Sequence, residues 1–331
     1  MTTPSTLLLT RSNVSELLDY DTCIDAVEQA FRLAGENRTL PSAVLGTHVP
    51  EGGFHVKTAG FEKDRLYYAA KINGNFPQNP ARQGLPTIQG VLSLHDARNG
   101  RLLALMDSME ITTIRTAAAS AVAAKYLARP DSRVMMIVGC GIQGKSQLRA
   151  MSRVCALERV YAYDVDAALA AEFAREMSGV HGITVESVPH YRDTTRDCDI
   201  IVTCTPARAA FIHRGDISPG TFIAAVGADN EHKQEIAPDL LASSTVVADV
   251  LDQCALIGDL HHAFASGVMQ REDVHAELAD VVCAKKPGRT TREEITVFDS
   301  TGTALEDVAA AAVVYERALS TGVGQEVALG A

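Results

Sequence analysis

The run Val134-Met-Met-Ile-Val138-Gly139-Cys140-Gly141-Ile142-Gln143-Gly144 joins a short apolar stretch to the spacing Gly-x-Gly-x-x-Gly. Glycines so spaced bind phosphate without any reactive side chain. Gly139 permits a tight turn out of a strand, Gly141 lets the backbone approach a pyrophosphate, and Gly144 lets the following helix pack close to the strand. The helix start at Ile142 and Gln143 then offers N–H groups and a positive dipole end to the phosphates. Asp164 closes the next apolar run, Val160-Tyr-Ala-Tyr163. A carboxylate there accepts hydrogen bonds from ribose hydroxyls and repels a 2′-phosphate, so NAD(H) is the expected cofactor in preference to NADP(H). Asp166 is expected to cap the helix that starts near Ala167.

Three further residues could act on a substrate. Arg115 lies among small residues near the start of an Ala-rich helix, and a guanidinium suits bidentate capture of a carboxylate. The alternative is a surface arginine, which the helix dipole disfavours in a first turn. Lys71 follows the apolar run Leu66–Ala70; partial burial would lower its pKa and let it exchange protons, whereas an ordinary strand-end lysine is solvated. Asp229 follows an apolar strand, Val226 and Gly227, where a carboxylate can stabilise a developing cation or simply cap a loop. Thr205-Pro206 and Ser300 end other short strands and are candidates for the cofactor's nicotinamide side. His261-His262 is not read as a metal pair, because adjacent side chains diverge and no partner sits at ligand spacing.

These residues need a scaffold. From Ser132 to about Gly227, β-rich runs alternate with helical ones: strands 134–138, 160–163, 184–188, 200–204, 221–226 and then 246–249, with helices at 143–155, 167–177 and near 191–196. That alternation implies an α/β fold with a doubly wound parallel sheet, whose ligands lie at the carboxyl ends of the strands. The first 110 residues read differently. A helix is expected over 19–34, then strands at 43–49, 54–58, 66–72 and 88–94. A turn at Arg98-Asn99-Gly100 leads into 102–106, so this part reads as a mostly antiparallel sheet. Ala-rich helices are expected at 112–128 and 303–319.

Composition bounds the rest. The 331 residues carry a net charge of −11 and are 47% hydrophobic, which argues for a well-packed core and against nucleic-acid or anionic-membrane partners. No apolar run reaches the ~20 residues needed to span a bilayer. Leu7-Leu8-Leu9 is too short for a secretory signal, and the seven cysteines show no C-x-x-C pair, so a cytoplasmic protein is expected.

Several segments in order resemble the ornithine cyclodeaminase/μ-crystallin family. They are Lys71-Ile-Asn-Gly-Asn75, Gly84-Leu-Pro-Thr-Ile-Gln-Gly90, Met106-Asp-Ser-Met-Glu-Ile-Thr-Thr-Ile-Arg115, the glycine motif, Val226-Gly-Ala-Asp229 with Lys233-Gln-Glu235, and Phe298-Asp-Ser-Thr-Gly302. The resemblance implies a Rossmann-type NAD-binding domain, 128–303, and a mixed α+β substrate-binding and dimerisation domain built from both chain ends, 1–127 and 304–331. It implies a homodimer and hydride chemistry on small amino or imino acids. Arg115 would then hold a substrate carboxylate, Lys71 would bind or exchange a proton, and Asp229 would anchor the nitrogen. Two positions depart from the family pattern. Ser42 stands where many members have an arginine, with Arg38 nearby but out of register, and His55 and Lys57 stand where ornithine cyclodeaminases place an acid. Residues 55 and 57 share a strand face. Two basic groups there would repel a distal ammonium and attract a carboxylate, which suits an acidic or neutral substrate; alternatively Lys57 replaces the missing arginine. The expected activity is an NAD(H)-dependent imine reductase or amino-acid dehydrogenase. The alternatives are a cyclodeaminase with internally recycled NAD and a non-catalytic crystallin-like binder.

Overall fold

A computed structural model describes residues 5–329. The chain divides into two compact units, one made of the residues up to Arg115 with those from Thr303 onward, the other of Thr116–Gly302. The first boundary falls inside the helix Ser108–Leu127 and not near its end at 127. Arg115, the last residue of the first segment, is tied by ion pairs to Glu306 and Asp307 of the C-terminal helix Ala304–Thr321.

The unit Thr116–Gly302 is built on an eight-stranded sheet, parallel throughout. Its order is Ala276–Glu277, Thr245–Ala248, Thr296–Asp299, Phe222–Ala225, Ile200–Thr203, Val134–Val138, Arg159–Tyr163, Thr184–Ser187. The central strands are buried almost without break, which is why they read as unalternating apolar runs. The direction of winding reverses between Val134–Val138 and Ile200–Thr203, and in such sheets ligands bind beyond the carboxyl ends of the strands at that point. The helix Ala167–His181 starts on Asp166, whose carboxylate accepts the N–H groups of Ala168 and Leu169, as expected. It runs past the expected end and stops at Gly182, in the left-handed region with φ 63°. The short helix expected near residues 191–196 is instead two 3-10 turns, Tyr191–Asp193 and Thr195–Asp197. A small parallel pair, Arg208–Ile212 with Gln234–Ile236, has too few apolar alternations to have been visible in the sequence.

The other unit holds a seven-stranded sheet in the order Gln325–Val327, Thr6–Leu9, Leu102–Asp107, Ile88–Asp96, Leu66–Asn75, Gly52–Glu62, Thr39–Val49. It is antiparallel except where Thr6–Leu9 runs parallel to Leu102–Asp107. The leucine run at 7–9 is therefore a strand. The hairpin at Asn99-Gly100 is present, with Gly100 at φ 76°. Register sorts the side chains. Lys57, Lys71, Leu92 and Met106 lie directly opposite one another, so they share one face. That face is covered by the helix Ala304–Thr321, which also packs on the helix Tyr20–Gly35. The next cross-strand row, Leu45, Val56, Ile72 and Val91, points the other way. There Leu45 is 62% exposed, Ile72 44% and Val91 41%.

Candidate functional site

The covered face of the seven-stranded sheet gathers most of the charged candidates. The strand Leu66–Asn75 continues past Lys71, so the lysine is not at a strand end. It is buried, with its ammonium 2.8 Å from Asp307 and 3.2 Å from the Thr112 hydroxyl. Burial, only partly opposed by Asp307, pushes its pKa down to about 7; Arg115 and Lys57 push the same way. Arg115 is equally buried. The helix starts at Ser108, so Arg115 sits two turns in and the first-turn dipole argument does not apply to it. Its Nη1 donates to Glu306 at 2.8 Å, and its Nε lies 2.8 Å from Asp307. Burial opposes its charge, but Asp307 and Glu306 outweigh that and its pKa is raised.

Lys57 stands opposite Lys71 in register, and His55 opposite Asn73; both are half-buried. Asn73 accepts a 2.6 Å hydrogen bond from the Ser108 hydroxyl. Its amide lies where a Cβ on Gly90 would be, so only glycine fits at 90. Arg38 is not brought to this face. It is half exposed, ion-paired with Glu36 at 3.3 Å and bonded to the carbonyl of Glu62.

In the other unit, the glycine turn has the shape its spacing implies. Gly139 adopts φ 102°, which a side chain would strain. Gly141 is the N-cap of the helix Ile142–Val154; no side chain caps the helix, and a Cβ at 141 would meet open space. A Cβ at Gly144 would overlap the Gly139 carbonyl oxygen. Ile142 is 76% exposed, and the Gln143 side-chain nitrogen is buried with no hydrogen-bond partner. An uncapped helix start, an open approach at Gly141 and an orphaned amide donor together fit a pyrophosphate. Asp164 accepts the N–H groups of Cys140, at 2.8 Å, and Asp166, at 3.0 Å. Burial raises the Cys140 thiol to about 12, which makes it a packing group and not a nucleophile.

Asp229 is half exposed and ion-paired with Lys233 at 2.7 Å. Thr205 gives both its N–H and its hydroxyl to Glu235, Pro206 is exposed and Val226 is half-buried. Ser300 is buried; its N–H donates to the Ala225 carbonyl, and its hydroxyl reaches Asp249 at 3.5 Å. His262 is bonded to the Lys233 carbonyl and His261 to that of Ala255. Among the described residues no group of three or more His, Cys, Asp or Glu could hold a metal, and no helix is long and apolar enough to cross a membrane.

The profile of the ornithine cyclodeaminase/mu-crystallin family matches residues 5–322. The chain belongs to this family. Alanine dehydrogenase of Archaeoglobus fulgidus is 38% identical over 322 residues, covering 97% of this chain and 98% of the relative. A solved archaeal alanine dehydrogenase dimer with bound NAD superposes with a TM-score of 0.94 at 38% identity, covering 98% of this chain and 99% of that one. The Δ1-pyrroline-2-carboxylate reductase of Thermococcus litoralis, in complex with NADH and L-proline, gives 0.92 at 34% identity, covering 97% and 100%.

Three acids in this family member were given no role in the sequence reading, although Glu235 lies in one of the segments that carry the resemblance. Glu306 and Asp307 open the C-terminal helix, where Glu306 also closes a capping box with Thr303. The Thr-x-x-Glu spacing was legible. That two adjacent acids in an Ala-rich helix would be buried against cations was not. Glu235 is wholly buried and accepts four bonds, from the Thr203 hydroxyl, the Thr205 N–H and hydroxyl, and the Gly227 N–H. It ties together the loops that follow two neighbouring strands.

Proposed function

We propose that this protein is an NAD(H)-dependent oxidoreductase acting on the C–N bond of a small α-imino or α-amino acid. The observation that carries the reading is the buried pair Lys71 and Arg115, held in place by carboxylates, in a chain that also carries an uncapped glycine-rich helix start. The family relatives support it: they are named alanine dehydrogenase and pyrroline-2-carboxylate reductase, and their structures hold NAD, NADH and L-proline. When bound, NAD(H) supplies or removes hydride at the nicotinamide.

In this reading the glycine turn and the N–H groups at Ile142 and Gln143 receive the pyrophosphate, and Thr205, Pro206, Val226 and Ser300 belong to the nicotinamide side. Asp164 favours NAD(H) over NADP(H), because a second anion would meet its carboxylate. Arg115 and Lys71 receive the substrate carboxylate, with Lys57 in place of the arginine absent at Ser42. An ammonium has three donors, and Asp307 and Thr112 account for two, so a third can reach a ligand oxygen. A lysine with a pKa near 7 can also give or take a proton at neutral pH. Asp229 stabilises the iminium nitrogen. Lys57 and Lys71 on the sheet face and Arg115 on the helix Ser108–Leu127 meet the anions Glu306 and Asp307 of the C-terminal helix.

The apolar row Leu45, Val56, Ile72 and Val91 suits burial against a second copy of the chain, so the protein is proposed to be a homodimer. Its seven free cysteines suit a reducing compartment, and the cytoplasm is the proposed location. The test is NADH oxidation with pyruvate plus ammonia, oxaloacetate plus ammonia, and a cyclic ketimine carboxylate. Turnover of at least one of these is expected. NAD-dependent ammonia release from ornithine at constant NADH absorbance would replace this reading with a cyclodeaminase.

A further inference from the structure

The charged face of the seven-stranded sheet contains a carboxylate that no sequence motif pointed to. Asp307 lies 2.8 Å from the Lys71 ammonium and 2.8 Å from Arg115 Nε, and all three side chains are at most 5% exposed. It comes from the opposite end of the chain, 236 residues from Lys71. We propose that Asp307 is a positioning residue: it spans Lys71 and Arg115, fixes the separation of their donors, and favours the ammonium form of Lys71 for binding a substrate carboxylate. This rests on the reductase reading only for what the ligand is; the pairing itself does not depend on it.

The physical argument runs through the charges that face Lys71. On the neighbouring strand stands Lys57, and on the helix Ser108–Leu127 stand Arg115 and the Thr112 hydroxyl. On the C-terminal helix stand Asp307 and Glu306, and Cys23 of the helix Tyr20–Gly35 lies within electrostatic reach of Arg115, Glu306 and Asp307. Burial, Arg115 and Lys57 all disfavour the ammonium, while Asp307 is the anion in direct contact with it. Burial also works against ionisation of Asp307, but Arg115 and Lys71 overcome it and hold its pKa below the ordinary range. Asp307 is therefore a fixed anion at neutral pH, whereas Lys71 can change charge. Glu306 cannot replace it, since its carboxylate already serves Arg115 Nη1 and the helix cap.

The experiment labels lysine side chains with 13C at Cε and follows Lys71 by NMR against pH, its signal assigned by its loss in Lys71→Arg. In Asp307→Asn the Lys71 midpoint is expected to fall by about one pH unit or more, a tenfold change in the protonation equilibrium. The KM for the imino acid is expected to rise about tenfold, with kcat at the pH optimum changing less than about threefold and NADH affinity unchanged. Asp307→Glu keeps the charge but moves it. It should leave the midpoint in place and raise KM by about fivefold. A Lys71 midpoint and a KM that both match wild type in Asp307→Asn overturn the proposal. If that variant does not fold, wild-type kinetics in Asp307→Glu overturn it. If the wild-type protein reduces no imino acid, the activity reading fails by itself and the lysine titration still decides the role of Asp307.

Discussion

Glu235→Gln is nearly isosteric and asks what one buried negative charge does. Each oxygen of Glu235 receives one backbone N–H and one threonine hydroxyl: Thr205 N–H at 2.6 Å and its hydroxyl on one, Gly227 N–H at 2.8 Å and the Thr203 hydroxyl on the other. A glutamine must turn its NH2 towards one of these pairs. The hydroxyl can rotate and accept, but the backbone N–H cannot, so one buried donor is orphaned at a cost of about 1–3 kcal/mol. The remaining bonds pass from charge-assisted to neutral, which weakens them by about 1 kcal/mol more. Losing the buried charge offsets part of this, since burial already raises the Glu235 pKa against the pull of its hydrogen bonds, and a net loss of about 2 kcal/mol remains. For a unit of this size that lowers the melting temperature by about 4–8 °C. The assay is a thermal melt beside NADH binding and turnover. Turnover should fall further than NADH affinity, because Asp229 stands two residues beyond Gly227 on one of the tied loops. A melt within about 1 °C of wild type would show that the four bonds do not hold these loops, and would refute the reasoning.

Gly144→Ala places a methyl group against the Gly139 carbonyl, so the turn must open; NADH affinity should fall by about tenfold or more, read by fluorescence titration, while the imino-acid KM at saturating NADH changes little. Asp164→Ser removes the carboxylate that would repel a 2′-phosphate; the NADH-to-NADPH preference in kcat/KM should narrow by about tenfold or more, and an unchanged ratio would remove Asp164 from cofactor selection. Arg115→Lys keeps the charge but loses the planar fork shared by Glu306 and Asp307, and KM should rise by about tenfold with little change in NADH binding. Asp299, buried beside Asp249, Asp259 and Glu235, is pushed up to about 7, chiefly by burial. A carboxyl raised in the folded state favours folding most below its unfolded pKa, and that contribution declines as pH rises through the folded value. Denaturant midpoints should therefore fall between about pH 4 and the folded value of about 7 and level off above it, and Asp299→Asn should flatten that slope.

Much of the fold was legible because its signals are local. The glycine turn was readable from spacing, since φ 102° at Gly139 and close packing at Gly144 exclude side chains whatever surrounds them. The parallel strands showed as apolar runs because both faces of a central parallel strand are buried. The leucine strand at 7–9 and the pair Arg208–Ile212 with Gln234–Ile236 were missed, because so short a run has no period to recognise and exists only through its partner. The insertion of Thr296–Asp299 between Phe222–Ala225 and Thr245–Ala248 had no sequence signature either.

By itself the sequence determined the nucleotide-type turn, the alternation of strand and helix, and the residue types able to hold a carboxylate, because backbone sterics and side-chain chemistry act over a few neighbours. Only the tertiary structure decided the charge state those side chains work in. Lys71 meets Asp307 across 236 residues and Arg115 meets Glu306 across 191, and burial turns each contact into a constraint that solvent would otherwise screen. Whether a lysine is a solvated strand residue or a group poised near pH 7 depends on what folds over it, and here that is the first turn of the last helix.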